Sequence, residues 1–138
     1  MSERKVYVSV DVDSTIIYHT YPELGQPIPG ALEWLYKFQE LGFCLILNTM
    51  RSCFDSAGDT LTPVVKFLQD KGIKLYGINR NPDQDWSKSP KVYAHFYIDD
   101  AAVGCPLTYP LDGSRAYVDW NKVGEIILKE YKIMKRAK

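Results

Sequence analysis

The sequence predicts an α/β fold with a mostly parallel central sheet of four to five strands and helices on both faces, in a three-layer, Rossmann-like arrangement. Short runs of β-branched and aromatic residues alternate with segments of helical periodicity. This β-α-β-α-β-α-β order favours parallel strands joined by right-handed crossovers. Polar residues follow the end of each predicted strand. The length of 138 residues predicts a single domain, 1–138.

The first half of the chain contributes two strands and one helix to this prediction. A run of mostly β-branched and aromatic residues beginning at Val6 predicts a short buried strand. Residues 19–29 lack periodicity and predict a loop or small flap. Apolar residues spaced by three predict a helix over 31–40, and Gly42 is suited to end it. The apolar run 43–47 predicts the second strand.

The middle of the chain repeats the same alternation. A loop over 53–59 precedes a helix predicted over 61–70. The third strand is predicted over 73–78, followed by the polar loop 79–89. Ser89 and Pro90 are typical of a helix N-cap and first helical residue, so we expect a short helix from Ser89 to Tyr93 or Ala94.

The last third of the chain completes the sheet. Residues 95–98 predict the fourth strand, and 101–115 show no regular pattern. A short fifth strand is predicted over 116–118. Asp119 is then suited to cap a C-terminal helix over 120–135.

Polar residues follow four of the predicted strands. The carboxyl ends of parallel strands share one edge of the sheet, which is where ligands bind in such folds. Two carboxylate pairs, with a hydroxyl and a cation between them, would make an oxygen-lined site able to hold Mg²⁺ beside a phosphate. Without a cation, carboxylates this close would repel one another. The four groups are Asp11 and Asp13, Thr49 and Arg51, Asn79 and Arg80, and Asp99 and Asp100.

These residues give the sequence a resemblance to the haloacid dehalogenase (HAD) superfamily of phosphohydrolases. The segment Asp11-Val12-Asp13-Ser14-Thr15 resembles the first motif of that family, and Thr49, at the end of a hydrophobic strand, the second. The pair Asp99-Asp100 resembles the fourth motif, and the third is a lysine, for which Lys91 and Lys88 are the candidates. Lys91 is preferred because the expected short helix would hold it in its first turn. In detail, the chain resembles a branch of this family made up of small bacterial proteins that lack a full cap domain.

The resemblance implies catalytic roles for four residues. Asp11 would be the nucleophile that forms an aspartyl-phosphate, and Asp13 would act as acid and then as base. Thr49 would hydrogen-bond a phosphoryl oxygen, and Lys91 would neutralise developing charge.

The resemblance also implies a metal site and substrate contacts. Mg²⁺ is the implied cofactor, held by Asp11, by Asp13 through its backbone carbonyl, and by Asp99 and Asp100. The predicted substrate-binding residues are Val12, Ser14 and Arg51. Ser14 stands where the family usually has glycine. These roles imply a Mg²⁺-dependent phosphatase acting on a small phosphorylated substrate.

Composition bears on the alternatives. A metal-dependent nuclease could also use clustered acids, but 17 basic against 17 acidic residues predict no partnership with nucleic acid or anionic membrane. A non-hydrolytic phosphoacceptor, or receiver, is the other alternative, and Asp13 argues against it because long-lived phosphoproteins do better without a second acid. Three scattered cysteines favour a reducing, cytoplasmic location. Whether the chain forms a homo-oligomer stays open. So does the question of whether the 19–29 flap or a neighbouring subunit covers the site.

Overall fold

Four parallel strands form the central sheet of the protein. The computed structural model describes residues 4–137. Its strands are β1 (Tyr7–Val10), β2 (Cys44–Leu47), β3 (Leu75–Ile78) and β4 (Phe96–Ile98), in the order β3-β2-β1-β4. All neighbouring pairs are parallel. The predicted α/β, Rossmann-like fold class is therefore confirmed.

Three helices flank this sheet: α1 (Ala31–Glu40), α2 (Thr62–Asp70) and α3 (Trp120–Arg136). Each begins and ends within about a residue of its predicted bounds, because the apolar stripe of each helix faces the core. Asp119 caps α3 as predicted, since its side chain accepts a hydrogen bond from the Lys122 N–H at 3.2 Å. No helix within the described part of the chain is long and apolar enough to cross a bilayer.

The short helix predicted from Ser89 does not form, and segment 79–95 between β3 and β4 is irregular. Its backbone groups are bonded to side chains instead. The Lys91 N–H donates to Ser89 Oγ at 3.2 Å, and Gln84 bonds both the Lys91 carbonyl and the Tyr93 N–H. Such local side-chain bonds compete with the helical pattern.

One polar cluster ties this irregular segment to the sheet near the amino end of β1. We call it the tyrosine cluster: Lys5, Tyr7, Tyr76, Asp83 and His95. The Tyr7 and Tyr76 hydroxyls both donate to Asp83 Oδ2 at 2.6 Å, and Lys5 Nζ lies 3.2 Å from the same oxygen. The His95 ring stacks on Tyr7 and accepts from its N–H at 3.0 Å. His95 is thus packed against Tyr7 and bonded to its backbone.

A separate antiparallel ribbon, β5 (Leu107–Thr108) with β6 (Tyr117–Val118), lies outside the central sheet. The strand predicted over 116–118 therefore exists, but it pairs with β5 rather than extending the parallel sheet. Its Val118 N–H donates to the Ser14 carbonyl at 3.0 Å, and the neighbouring Trp120 Nε1 donates to the Thr15 carbonyl at 2.7 Å. The ribbon and the start of α3 thus support the turn after β1.

Candidate functional site

Three carboxylates meet at the carboxyl ends of β1 and β4. One oxygen each from Asp11, Asp99 and Asp100 lie within 4.8 Å of one another. The Asp11 N–H donates to the Ile98 carbonyl at 2.9 Å, so the parallel pairing continues up to the first acid. Because β1 and β4 are sheet neighbours, acids that are far apart in the sequence become adjacent. We call Asp11, Asp13, Asp99 and Asp100 the acid rim.

Thr15 joins the two halves of the acid rim. Its hydroxyl donates to Asp11 Oδ2 at 3.0 Å and accepts the Asp100 N–H at 3.2 Å. The Val12 carbonyl accepts hydrogen bonds from three following N–H groups, which curls the chain and brings Thr15 back over Asp11. No separate role for Thr15 was predicted from the sequence. A hydroxyl residue four positions after a strand-end acid is the signal that could have indicated this one.

The electrostatics of Asp11 favour a bound cation. The pKa of Asp11 is raised to about 8. The largest cause is burial, followed by the negative charge of Asp99 and then by a hydrogen bond with Asp100. A cation among the three carboxylates would remove this penalty on the charged form. All three potential ligands are carboxylate oxygens, which is the donor type that Mg²⁺ prefers. The residues present therefore fit the predicted metal.

Asp13 is held by a buried arginine. Arg51 is 1 % exposed and forms a bidentate pair with Asp13, with N–O distances of 2.9 and 2.8 Å. Its other N–H groups donate to the backbone carbonyls of Pro22, Glu23 and Thr60 at 2.7 to 3.1 Å. All five donors of a guanidinium are thereby used inside the protein.

This geometry changes the role expected for Arg51. The sequence indicated a contact with a substrate anion, but in the structure Arg51 has no free donor and positions Asp13 instead. It also anchors the flap at 19–29 and the loop before α2 to the same acid. Backbone carbonyls contributed by loops leave no pattern in a sequence, so this role could not be predicted.

Thr49 lies at the end of β2, as predicted, and Asn79 fixes it there. The Thr49 N–H donates to Asn79 Oδ1 at 2.8 Å, and Asn79 N–H donates to the Leu47 carbonyl at 2.6 Å. Thr49 Oγ1 accepts the Arg51 N–H at 3.1 Å, which leaves the hydroxyl proton available to a ligand oxygen.

Val12 and Ser14 shape the turn after β1. The Val12 side chain is fully buried in the core, so only its backbone could reach a substrate. Ser14 is also buried, with φ at 62°, and its N–H donates to the Ile17 carbonyl at 2.8 Å. A positive φ favours glycine, which accounts for the glycine expected at this position. Contact of either residue with substrate stays a prediction.

Lys91 and Lys88 both line a polar cleft of about 450 Å³ in the irregular segment. The position expected for Lys91 in a helical turn is wrong, because no helix forms there. The Lys91 ammonium lies 5.6 Å from the ring centroid of Tyr97. Tyr97 lies in β4, two residues before Asp99 in the chain. The assignment of Lys91 rather than Lys88 as the motif lysine stays a prediction.

Comparison with known proteins finds a solved structure that is similar to this chain over most of its length. No protein-family model matches the chain, and no curated protein matches it. A solved structure of a conserved protein from Bacteroides thetaiotaomicron is 30% identical, with a TM-score of 0.72. The match covers 92% of this chain and 93% of that one. The chain therefore belongs to the same family as this conserved Bacteroides thetaiotaomicron protein.

Proposed function

We propose that the protein is a Mg²⁺-dependent phosphohydrolase that cleaves a phosphate monoester through an aspartyl-phosphate on Asp11. The observation that carries the proposal is the meeting of Asp11, Asp99 and Asp100 oxygens within 4.8 Å, with Asp13 two residues after the first. This arrangement combines a hard-cation site with a nucleophile and a second acid. Phosphoryl transfer requires mainly positioning and charge neutralisation, and these residues can supply both.

Asp11, Asp99 and Asp100 would hold the metal. When bound, Mg²⁺ supplies positive charge beside the phosphoryl oxygens, which a nucleophilic carboxylate would otherwise repel. The Thr49 hydroxyl donates to a phosphoryl oxygen, and Lys91 is the residue proposed to neutralise the charge that develops there. The chain itself thus orients the phosphoryl group for attack by an Asp11 oxygen.

Asp13 is the proposed acid and base. For this role Asp13 must enter the cycle protonated: after attack by Asp11 it would give that proton to the departing alcohol oxygen, and the carboxylate so formed would then take a proton from the water that hydrolyses the acyl-phosphate. Each Asp13 oxygen already accepts one bond from Arg51 and retains one lone pair. This geometry suits the base step directly, so we expect substrates with good leaving groups to be turned over fastest.

The test is a pre-steady-state assay with p-nitrophenyl phosphate and Mg²⁺. In Asp13→Asn, we expect hydrolysis of the acyl-phosphate to slow by roughly 10²- to 10⁴-fold. Release of p-nitrophenol should change less, because this leaving group needs little protonation. The variant should therefore give a burst of p-nitrophenol and accumulate phosphoenzyme. Asp70→Asn, at the exposed end of α2, is the matched control and should behave like the wild type.

Two results would contradict the proposal. A wild-type protein that held its phosphate for minutes, with no change in Asp13→Asn, would indicate a receiver module. Mg²⁺-dependent cleavage of DNA, without turnover of any phosphate monoester, would indicate a nuclease.

A further inference from the structure

The cleft in segment 79–92 is rich in positive charge. Arg80, Lys88 and Lys91 line it, and Asp85 is the one acid among its lining residues. The chain as a whole has no net charge, so this surplus is local. Within residues 4–137, none of the three cations forms an ion pair. Their charge is therefore available to a ligand.

The walls of the cleft are tied together by two amide side chains, a buried one from Asn81 and a half-buried one from Gln84. Asn81 is 2 % exposed; its Nδ2 donates to the Tyr93 carbonyl at 3.0 Å and its Oδ1 accepts the Asp83 N–H at 2.9 Å. Gln84 spans the same gap, bonding the Lys91 carbonyl and the Tyr93 N–H at 3.0 and 2.8 Å. These bonds fix the two limbs of the segment, so the cleft is formed before a ligand arrives.

One wall of the cleft starts at the carboxyl edge of the sheet, the edge that also carries the acid rim. Asn79 lines the cleft and also accepts the Thr49 N–H, so the wall of the cleft begins where β2 ends. At the other side, the Lys91 ammonium lies over the ring of Tyr97, which is two residues before Asp99 in the chain. A ligand with its phosphate at the acid rim would therefore extend toward Arg80 and Lys88.

We infer that this cleft binds a second anionic group of the substrate, and that Arg80 and Lys88 are the residues that select for it. The substrate class is a small phosphate monoester that also carries a carboxylate or a further phosphate. The inference rests on the proposed function, because the acid rim receives the phosphate that is cleaved. A volume of about 450 Å³ is of the size that small metabolites occupy.

Isothermal titration calorimetry of the full chain with Mg²⁺ tests the inference with non-hydrolysable probes. Methylphosphonate carries one anionic group, whereas phosphonoacetate, 3-phosphonopropionate and 4-phosphonobutyrate carry a second one at increasing distance. We expect at least one of the three to bind about tenfold more tightly than methylphosphonate, the gain from about one charge-assisted hydrogen bond. Arg80→Gln and Lys88→Gln should each reduce that advantage. Lys66→Gln, an exposed lysine of α2, is the matched control.

The outcomes separate this inference from the proposed function. If none of the three probes binds more tightly than methylphosphonate, or if both cleft variants bind them as the wild type does, the cleft is not an anion site. If the tighter binding depends on Arg80 or Lys88 but no phosphate monoester is hydrolysed, the cleft stands and the phosphohydrolase proposal fails. Turnover of p-nitrophenyl phosphate without any preference for the second anion overturns the cleft alone.

Discussion

The acid rim and the tyrosine cluster place the same kind of side chain in opposite surroundings at the two ends of β1. Hydrogen bonds from Tyr7 and then Tyr76 lower the pKa of Asp83 to about 2. Burial and neighbouring acids raise the pKa of Asp11 to about 8. The tyrosine cluster is complete within the protein and stabilises it. The acid rim is incomplete without a cation, which is what a binding site requires.

The backbone shows the same contrast. Among residues 4–137, the non-glycine residues with positive φ are Ser14 at 62° and Asn79 at 56°, and both follow strands at the acid-rim edge. A left-handed conformation is unfavourable for a residue with a side chain. Backbone strain of this kind concentrates at functional sites. Strain and like charge thus occur at the same edge of the sheet.

The largest expected effect comes from replacing one carboxylate at each end of β1, Asp11 in the acid rim and Asp83 in the tyrosine cluster, by an amide. Asp11→Asn should abolish turnover of p-nitrophenyl phosphate while raising the melting temperature of the metal-free protein at neutral pH. The reason is that Asp11 must take up a proton on folding, because its pKa rises to about 8, whereas an amide need not. Asp83→Asn should do the reverse, lowering the melting temperature and leaving turnover intact. Steady-state kinetics and thermal melting of both variants measure these opposite effects on activity and stability. A metal-free Asp11→Asn protein that melts below the wild type would contradict it.

The second effect tests the buried ion pair by which Arg51 holds Asp13 in place. Arg51→Met should lower the free energy of unfolding by about 3–5 kcal/mol, because it leaves a carboxylate and three backbone carbonyls without their donor. Arg51→Lys keeps the charge but cannot form five bonds, so its loss should be smaller. Urea unfolding gives both values. A cost below about 1 kcal/mol for Arg51→Met would mean that the buried pair is not structural.

The third effect concerns pH and metal. The pKa of Asp11 rises from its ordinary value of 3.8 to about 8 in the folded protein. Its contribution to stability is therefore complete below about pH 4 and is lost as the pH rises toward 8. Mg²⁺ competes with that proton, so the rise in melting temperature that it causes should be larger at pH 8 than at pH 5. At ten times its Kd, the metal should contribute about 1.4 kcal/mol.

Asp11→Asn is the control for this experiment. It should flatten the difference between the Mg²⁺ effects at the two pH values, since the titrating group is gone. Equal Mg²⁺ effects at pH 5 and pH 8 in the wild type would show that the metal does not bind at Asp11.

The smallest effect concerns backbone strain. Ser14→Gly should stabilise the metal-free protein by up to about 1 kcal/mol, because glycine adopts a positive φ without steric cost. Asn79→Gly should gain less, since asparagine tolerates this conformation better and its bond to Thr49 would be lost. Chemical denaturation measures both. A destabilised Ser14→Gly would show that the turn does not store strain.

Apolar periodicity was sufficient to predict the four strands of the central sheet and the three helices, because burial on one face dictates that pattern. It missed β5, a two-residue strand inside the segment 101–115 that was expected to be irregular. It was also sufficient to bring Asp11 and Asp99 together, since both follow strands of one parallel sheet. The helix predicted at Ser89 failed because Gln84, a residue with no distinctive signal, bonds the backbone there. The role of Arg51 depends on loop carbonyls, whose positions only the folded chain defines.

The bond from Trp120 to the Thr15 carbonyl has a consequence for protein synthesis. The two residues are 105 positions apart, yet this contact supports the turn that places Asp11 beside Asp100. A ribosome releases Asp11 and Asp13 well before β4 and Trp120. The nascent chain therefore carries its first acids through a long stretch of synthesis before β4 brings Asp99 and Asp100 beside them, and the Trp120 bond to the turn is added later still.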